Sequence, residues 1–376
     1  MIVLAHVTFW SCALLLMHIF VGYPLWIWLL ARLRPRPVAL QADVPTVTVV
    51  MAAHDAATQI RDKLVSLVAL DYPADRLDIV VACDGCRDDT ATLCREFGDP
   101  RIRVLEFATR RGKAACLNDA VDVAGGDLLL MTDVRQSLDP AALQVLVANL
   151  GDPSVGAVSG ELRLLDAQTG FASGVDAYWR YEKLIRLSES RSGSTVGVTG
   201  ALYAMRRELY EPLPTNTVLD DVLIPMRVAA KGRRVVFEPR ALVWDRASQR
   251  PVEERRRKIR TLAGNFQLIQ LAPWLLSPWR NPLWFRFVSH KLLRLLAPWL
   301  IVLLIIAAAA LARHHYIYAL ALLACVTCGG LGVLGRLLPA SARIMPVRMA
   351  TAFCYLNLFA AQALVAFARN RRLHLW

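Results

Sequence analysis

Thr46-Val47-Thr48-Val49-Val50-Met51-Ala52-Ala53-His54-Asp55 is the stretch on which the fold turns. Pro45 closes it on one side, and a polar pair closes it on the other. From Thr46 to Ala53 every residue is apolar or β-branched, which reads as a strand buried on both faces. After it, Ile60, Leu64, Leu67 and Val68 recur at helical spacing. Leu77–Cys83 then reads as a strand, Thr90–Phe97 as a helix, Ile102–Phe107 as a strand, Lys113–Val123 as a helix and Asp127–Thr132 as a strand. Ala141–Leu150 is another helix, with Leu143, Leu146, Val147 and Leu150 on one face. Alternating helices and buried strands predict an α/β domain, a mostly parallel sheet covered by helices on both faces. No internal repeat is apparent.

Ligands of such sheets bind beyond the carboxyl ends of the strands. Polar residues stand there each time: His54-Asp55, Asp84-Gly85 and Asp133. One carboxylate after a strand is most simply the cap of the next helix. Three at successive strand ends favour a shared site.

The rest of the chain has a different character. Of 376 residues, 56% are hydrophobic and 20% charged, the formal net charge is +13, and this excess of apolar over charged residues is unlike a purely soluble domain. Val3–Leu30 carries no charge and is closed by Arg32, Arg34 and Arg36. A bilayer needs about 20 apolar residues as helix. The basic cluster follows the run instead of preceding it, so residues 1–36 read as a retained anchor with the N-terminus outside. Leu295–Ala312, Tyr316–Leu334 and Met349–Ala368, each ending in basic residues, are the expected spans of a C-terminal membrane region, 291–376. Between domain and spans, residues 268–290 interleave Trp274, Trp279 and Trp284 with Pro273, Pro278 and Pro282. That pattern predicts an interfacial segment. The count leaves a conflict: one anchor and three further spans put the basic tail Arg369–Arg372 outside, against the positive-inside rule. Either one segment does not span or the Trp-rich region does.

The ordered motifs between Thr46 and Gln267 resemble the family-two glycosyltransferases of GT-A fold, in particular the membrane-embedded branch of cellulose, chitin, hyaluronan and poly-N-acetylglucosamine synthases. They are Ala52-Ala53-His54-Asp55, Asp84-Gly85-Cys86-Arg87-Asp88-Asp89-Thr90 and Arg111-Gly112-Lys113-Ala114-Ala115-Cys116-Leu117-Asn118, followed by Thr132-Asp133-Val134-Arg135, Gly197–Arg207, Val218-Leu219-Asp220-Asp221 and Arg257-Lys258-Ile259-Arg260-Thr261. The resemblance implies a GT-A domain over residues 45–267. It implies Asp55 and Asp84 at the uridine of a nucleotide-sugar, with Lys113, Asp133 and Arg257 at the rest of the donor. It implies Gly200 and Ala201 near the acceptor, Asp221 as catalytic base and Arg260 assisting the diphosphate's departure. Asp89 and Asp220 are expected to serve only as helix starts.

Two departures qualify the likeness. Arg135 stands where the family has a second metal-binding acid, and a guanidinium cannot ligate a cation. Asp133 is left as the metal residue, for Mg2+ or Mn2+. Thr261 stands where the family has a tryptophan that touches the acceptor, which weakens a processive reading. The expected partners are a nucleotide-sugar, a glycan or lipid-linked acceptor, the bilayer and other glycan-synthesis or export subunits, with the domain cytoplasmic. A single-sugar transferase onto a lipid carrier and a degenerate binding subunit are the rivals. A transporter would want acidic residues mid-span, and the basic runs lie by the membrane segments without a nucleic-acid-binding module. The eight cysteines offer no zinc spacing, and they read as reduced thiols in packed positions.

Overall fold

The computed structural model describes residues 1–165, 170–246, 251–369 and 373–375. Arg250 and Arg371-Arg372 of the basic runs lie outside the described residues. The strands are β1 Val47–Ala53, β2 Leu77–Asp84, β3 Ile102–Phe107, β4 Leu128–Met131, β5 Ser137–Leu138, β6 Val155–Leu164, β7 Tyr203–Arg206 and β8 Arg234–Asp245. They form one sheet in the order β3-β2-β1-β4-β7-β6-β8-β5. β1 pairs in parallel with both β2 and β4, whereas β7 and β5 run against their neighbours.

All seven residues of β1 are buried, as a strand apolar on both faces requires. Val47, Val49, Met51 and Ala53 pack with Ile60, Leu64 and Leu67 of helix Ala57–Val68 and with Leu143 and Leu146 of helix Ala142–Leu150. Val50 and Ala52 pack on the opposite side with Leu117 of helix Lys113–Asp122 and Leu223 of helix Asp220–Ala230. Each fully buried leucine or isoleucine in these layers contributes about 1.5–3 kcal/mol. Because β2 and β3 lie on one side of β1 and β4 on the other, the chain reverses its winding at β1 and β4. A crevice therefore opens at their carboxyl ends, the place where such sheets hold ligands.

Four helices among the described residues are long and apolar enough to cross a membrane: Ile2–Leu33, Trp284–Leu311, Tyr316–Leu337 and Met345–Arg369. The Trp- and Pro-rich stretch does not form one unit. Its first residues finish helix Pro251–Leu271, Pro273–Leu276 is a short 3-10 turn, and Trp284 already opens the second long helix.

A polar seam joins these helices to the domain. Tyr23 Oη donates to Glu189 at 2.5 Å, and Tyr181 Oη donates to the carbonyl of Phe20 at 3.0 Å. His290 bridges Glu189 and Glu182 at 2.8 and 2.6 Å, while Arg294 Nη1 donates to Glu182 at 2.7 Å. Both glutamates belong to helix Gly170–Arg191. The turn Pro339–Arg343, after the third long helix, lies against that same helix. The fourth long helix leaves this turn along the third, where Thr351 fills the space beside Gly335 and Cys354 that beside Gly332. It ends on the α/β domain: Gln362 accepts from Arg255 Nη2 at 3.1 Å, and Phe367 stacks on Phe266 at 5.9 Å between centroids.

Candidate active site

Asp55 is exposed at the end of β1 and takes a positive φ of 45°. One oxygen accepts from the Arg87 amide at 2.8 Å, and His54 Nε2 stands 3.5 Å from the other. His54 is itself braced by its Nδ1 against the carbonyl of Asp84 at 2.7 Å. Asp84 is different. It is fully buried, and its two oxygens accept from the amides of Arg111 and Gly112 at 2.6 and 2.8 Å. Its carboxylate holds the glycine loop, so it reaches the crevice through that loop and not by an open oxygen.

Two glycines make this local fold possible. Gly85 has φ +57°, and a Cβ there would stand 2.4 Å from the Arg110 amide nitrogen. Gly112 has φ +96°, a conformation that L side chains rarely adopt. The helix-start assignment also shifts by one residue. Asp89 makes no side-chain cap bond; Asp88 does, accepting from the Thr90 amide at 3.1 Å and the Ala57 amide at 2.9 Å.

The centre of the site is a charge cluster. Lys113 opens its helix and sets Nζ 2.8 Å from Asp133 Oδ1 and 3.0 Å from Asp220 Oδ2. Burial works against the ammonium, but the two carboxylates outweigh it and hold Lys113 well above the ordinary lysine range. Asp220 is therefore not a bare helix start: it is buried, lacks a cap bond and shares Lys113 with Asp133. Beside it, Asp221 is pushed up to about 6 by burial and then by the negative charge of Asp220, with Lys113 and Lys291 opposing. Gly200 completes this wall, since a Cβ there would stand 3.7 Å from Asp221 Oδ2 and 3.9 Å from Asp133 Oδ2. Ala201 does not face the cluster. Its side chain is buried in the core, and its carbonyl accepts from Thr132 Oγ1 at 2.7 Å.

Arg260 reaches the cluster from helix Pro251–Leu271, which lies close over the acid pair because residue 264 is glycine: a Cβ there would meet Leu219 Cγ at 2.8 Å. Burial lowers its guanidinium, while the charges of Asp220, Asp133 and Asp221 support it. Arg257 lies three residues earlier, half-buried and on the same helix face. Thr261 is exposed, so no aromatic platform stands at that position.

Arg135 pairs with Asp245 at the end of β8 and is thereby committed to the sheet. Of the two motif positions, 133 and 135, only Asp133 offers a hard oxygen to a divalent cation. Its Oδ2 and that of Asp221 both lie beside Gly200, and the negative charge that adds to burial in raising Asp221 is what a cation would relieve. This fits a metal held by one protein carboxylate and by ligand oxygens. All eight cysteines are free, including the Cys83 and Cys86 pair.

Sequence reasoning missed three supports. Lys63 is buried, donates to Thr132 Oγ1 at 2.7 Å and to the Gln136 carbonyl at 2.8 Å, and is lowered to about 7 by burial, which Asp133 opposes. Arg186 donates to Thr199 Oγ1 at 3.0 Å and Ser159 Oγ at 2.7 Å, and so fixes the segment before Gly200. Gln267 holds the entry to the acid pair, accepting from the Val218 amide at 3.0 Å and donating to the Asn216 carbonyl at 2.6 Å. No local signal marked any of the three, since each partner lies far away in sequence.

Comparisons with known proteins agree with this geometry. Residues 45–264 match the model of a glycosyltransferase like family 2 domain. A probable glycosyltransferase of Bacillus subtilis, YdaM, is 26% identical over 237 residues, covering 59% of this chain and 56% of that protein. The poly-beta-1,6-N-acetyl-D-glucosamine synthase of Staphylococcus aureus is 23% identical over 209 residues, 54% of this chain and 50% of that one. The chain thus spans about half the length of the curated relatives it matches. A solved mannosyltransferase from Pyrobaculum calidifontis, in complex with GDP-Man and Mn2+, superposes with a TM-score of 0.73 at 25% identity, over 96% of this chain and 98% of its own. With its model matched over more than half of the chain, and a GT-A-type sheet presenting an acid cluster at the expected strand ends, the chain belongs to glycosyltransferase family 2 and is a glycosyltransferase.

Proposed function

We propose that the protein is a membrane-bound inverting glycosyltransferase that moves one sugar from a nucleotide-sugar, UDP-linked, to a glycan or lipid-linked acceptor during exopolysaccharide or envelope glycan synthesis. The observation that carries this reading is Asp221: a carboxylate raised to about 6, beside an opening formed by Gly200, in a cluster with a cation on its far side. Such a group is ionised near neutral pH and still basic enough to take a proton from a hydroxyl. The acceptor O–H gives its proton to Asp221 as its oxygen bonds the anomeric carbon. The bond from that carbon to the diphosphate breaks on the opposite side, and the electron pair leaves with the nucleoside diphosphate. A single displacement inverts the anomeric centre. Lys113 and Arg260 meet the growing negative charge. A divalent cation, with Asp133 as its protein ligand, neutralises diphosphate charge when bound.

The Pyrobaculum mannosyltransferase was solved with GDP-Man, which supports a GDP-linked donor as the second reading. Exposed Thr261 in place of an aromatic platform supports short transfers over processive polymerisation. For the membrane, the seam from Tyr23 to His290 supports a domain seated at the cytoplasmic face. Both ends of helix Met345–Arg369 touch the domain side, at the Pro339–Arg343 turn and at Phe266. This favours a helix lying in the interface, with three crossings, which would keep the basic tail inside and remove the conflict with the positive-inside rule.

The test is a panel of UDP- and GDP-sugars offered to membranes holding the wild type and Asp221→Asn. Loss of transfer by about 10³-fold with nucleotide binding retained is expected of a missing base. Full transfer by Asp221→Asn would reject the assignment.

A further inference from the structure

Residues 373–375 follow the last long helix and lie on the catalytic domain. Leu373 is 9% exposed and belongs to the apolar cluster that contains Leu117, behind the glycine loop, and Leu268, on the helix of Arg260. Its carbonyl accepts a hydrogen bond from Arg260 Nε at 3.1 Å. The next residue covers the loop itself: a Cβ on Gly112 would stand 3.2 Å from His374 Cδ2, 3.4 Å from the His374 carbonyl and 3.8 Å from Leu375 Cδ2. One short segment thus connects the arginine assigned to the departing diphosphate with the loop that opens the helix of Lys113.

We infer that residues 373–375 form a wall of the donor site and that Leu373 is a positioning residue for Arg260. This rests on the nucleotide-sugar reading above. A guanidinium is a planar fork, so fixing Nε against a carbonyl fixes the plane of all three nitrogens. Among the described residues no protein acceptor holds the two terminal nitrogens of Arg260. They are left for a ligand, in reach of the field of Asp133, Asp220 and Asp221. A removable plug would present an exposed, polar contact. This segment is instead anchored by a leucine that shares the core of the domain, so it is built into the site.

The experiment uses the full chain in lipid nanodiscs. UDP and GDP with Mn2+ are the binding probes, and nucleoside diphosphate release is followed with whichever panel donor the wild type turns over. Leu373→Asp, which drives the anchor from the core, should lower kcat about tenfold or more while donor KM stays within about threefold. Leu373→Met should restore the rate. Arg260→Ala added to Leu373→Asp should cost less than about threefold more, because the two changes remove one interaction. A merely structural role would reduce the amount of active enzyme, and the two losses would multiply. If Leu373→Asp does not fold, Leu373→Ala carries the same test at smaller amplitude. Unchanged kcat, multiplying losses, or a rise in kcat/KM from an unmasked site would each overturn the inference. A wild type that binds neither UDP nor GDP would instead reject the donor reading beneath it.

Discussion

Lys113 Nζ stands 2.8 Å from Asp133 Oδ1, and this contact sets the charge of the whole site. The lysine also lowers Asp221 against the upward push of burial and Asp220. The base role proposed for Asp221 requires its ionised form, so transfer should rise with pH through about 6. Removing the ammonium removes a lowering influence, so in Lys113→Met the rising limb moves to higher pH. The same change takes a donor from the diphosphate side and should lower kcat by about 10²–10³-fold. A pH series of kcat/KM on both proteins checks the direction, and a limb that moved to lower pH would contradict the assigned pairing.

Arg135 is tied to Asp245, whose side chain is only 4% exposed. In Arg135→Ala that buried carboxylate keeps, among the described residues, only Gln136 Nε2 at 3.2 Å. Leaving a buried acceptor without its partner costs about 1–3 kcal/mol. Thermal unfolding of the purified protein should therefore shift down, while the Mn2+ concentration for half-maximal activity stays unchanged. Arg135→Asp, which writes the family's second acid back into the sequence, should fold worse still and gain no metal affinity, because it sets a new anion beside Asp245.

The half of the sheet from β1 to β4 was legible because its strands are apolar or β-branched apart from Asp78, Asp84, Arg103 and Glu106, and helices with buried apolar residues alternate with them. That regularity stops after Leu150. β7 runs against β4 and β6, and β5, which follows β4 with no helix between them, runs against β8, so alternation gives no guide to these strands. The motif residues Asp55, Lys113, Asp133, Gly200, Asp221 and Arg260 all sit around one crevice, but their partners were hidden by distance in sequence. Arg186 meets Ser159 across 27 positions and Lys63 meets Thr132 across 69. Asp220 does open its helix, but its pairing with Lys113 was hidden for the same reason: only the folded chain brings Lys113 to it.

Gly264 lets the helix of Arg260 approach the residues before the acid pair, with Leu219 Cγ at 2.8 Å and Val218 Cγ1 at 2.9 Å from a Cβ built there. Gly264→Ala should gain helix propensity, by about 1 kcal/mol, yet overpack this contact at a cost of about 1–3 kcal/mol. The contact also sets the spacing between Arg260 and Asp221, so kcat should fall several-fold even in the folded fraction. Comparing active-site concentration with turnover separates the two effects. A variant with wild-type kcat would mean that the two elements move independently.

Helix Met345–Arg369 has the length and hydropathy of a span, yet its ends lie near Pro339–Arg343 and Phe266, both on the domain side. Hydropathy alone could not separate the two cases. The helix is apolar because it packs on Gly332 and Gly335 of one neighbour and on the Arg260 helix along another. An interfacial helix and a crossing helix make opposite statements about its two ends. In a variant lacking the eight native cysteines, single cysteines at His315, Ile344 and Arg369, all exposed, report the sides directly. With an impermeant thiol reagent on intact cells, His315→Cys should react at once. Ile344→Cys and Arg369→Cys should both react only after permeabilisation, since charged and basic ends on one side obey the positive-inside rule. Labelling of Arg369→Cys but not Ile344→Cys in intact cells would make the helix a fourth crossing and would separate residues 373–375 from the domain that they touch.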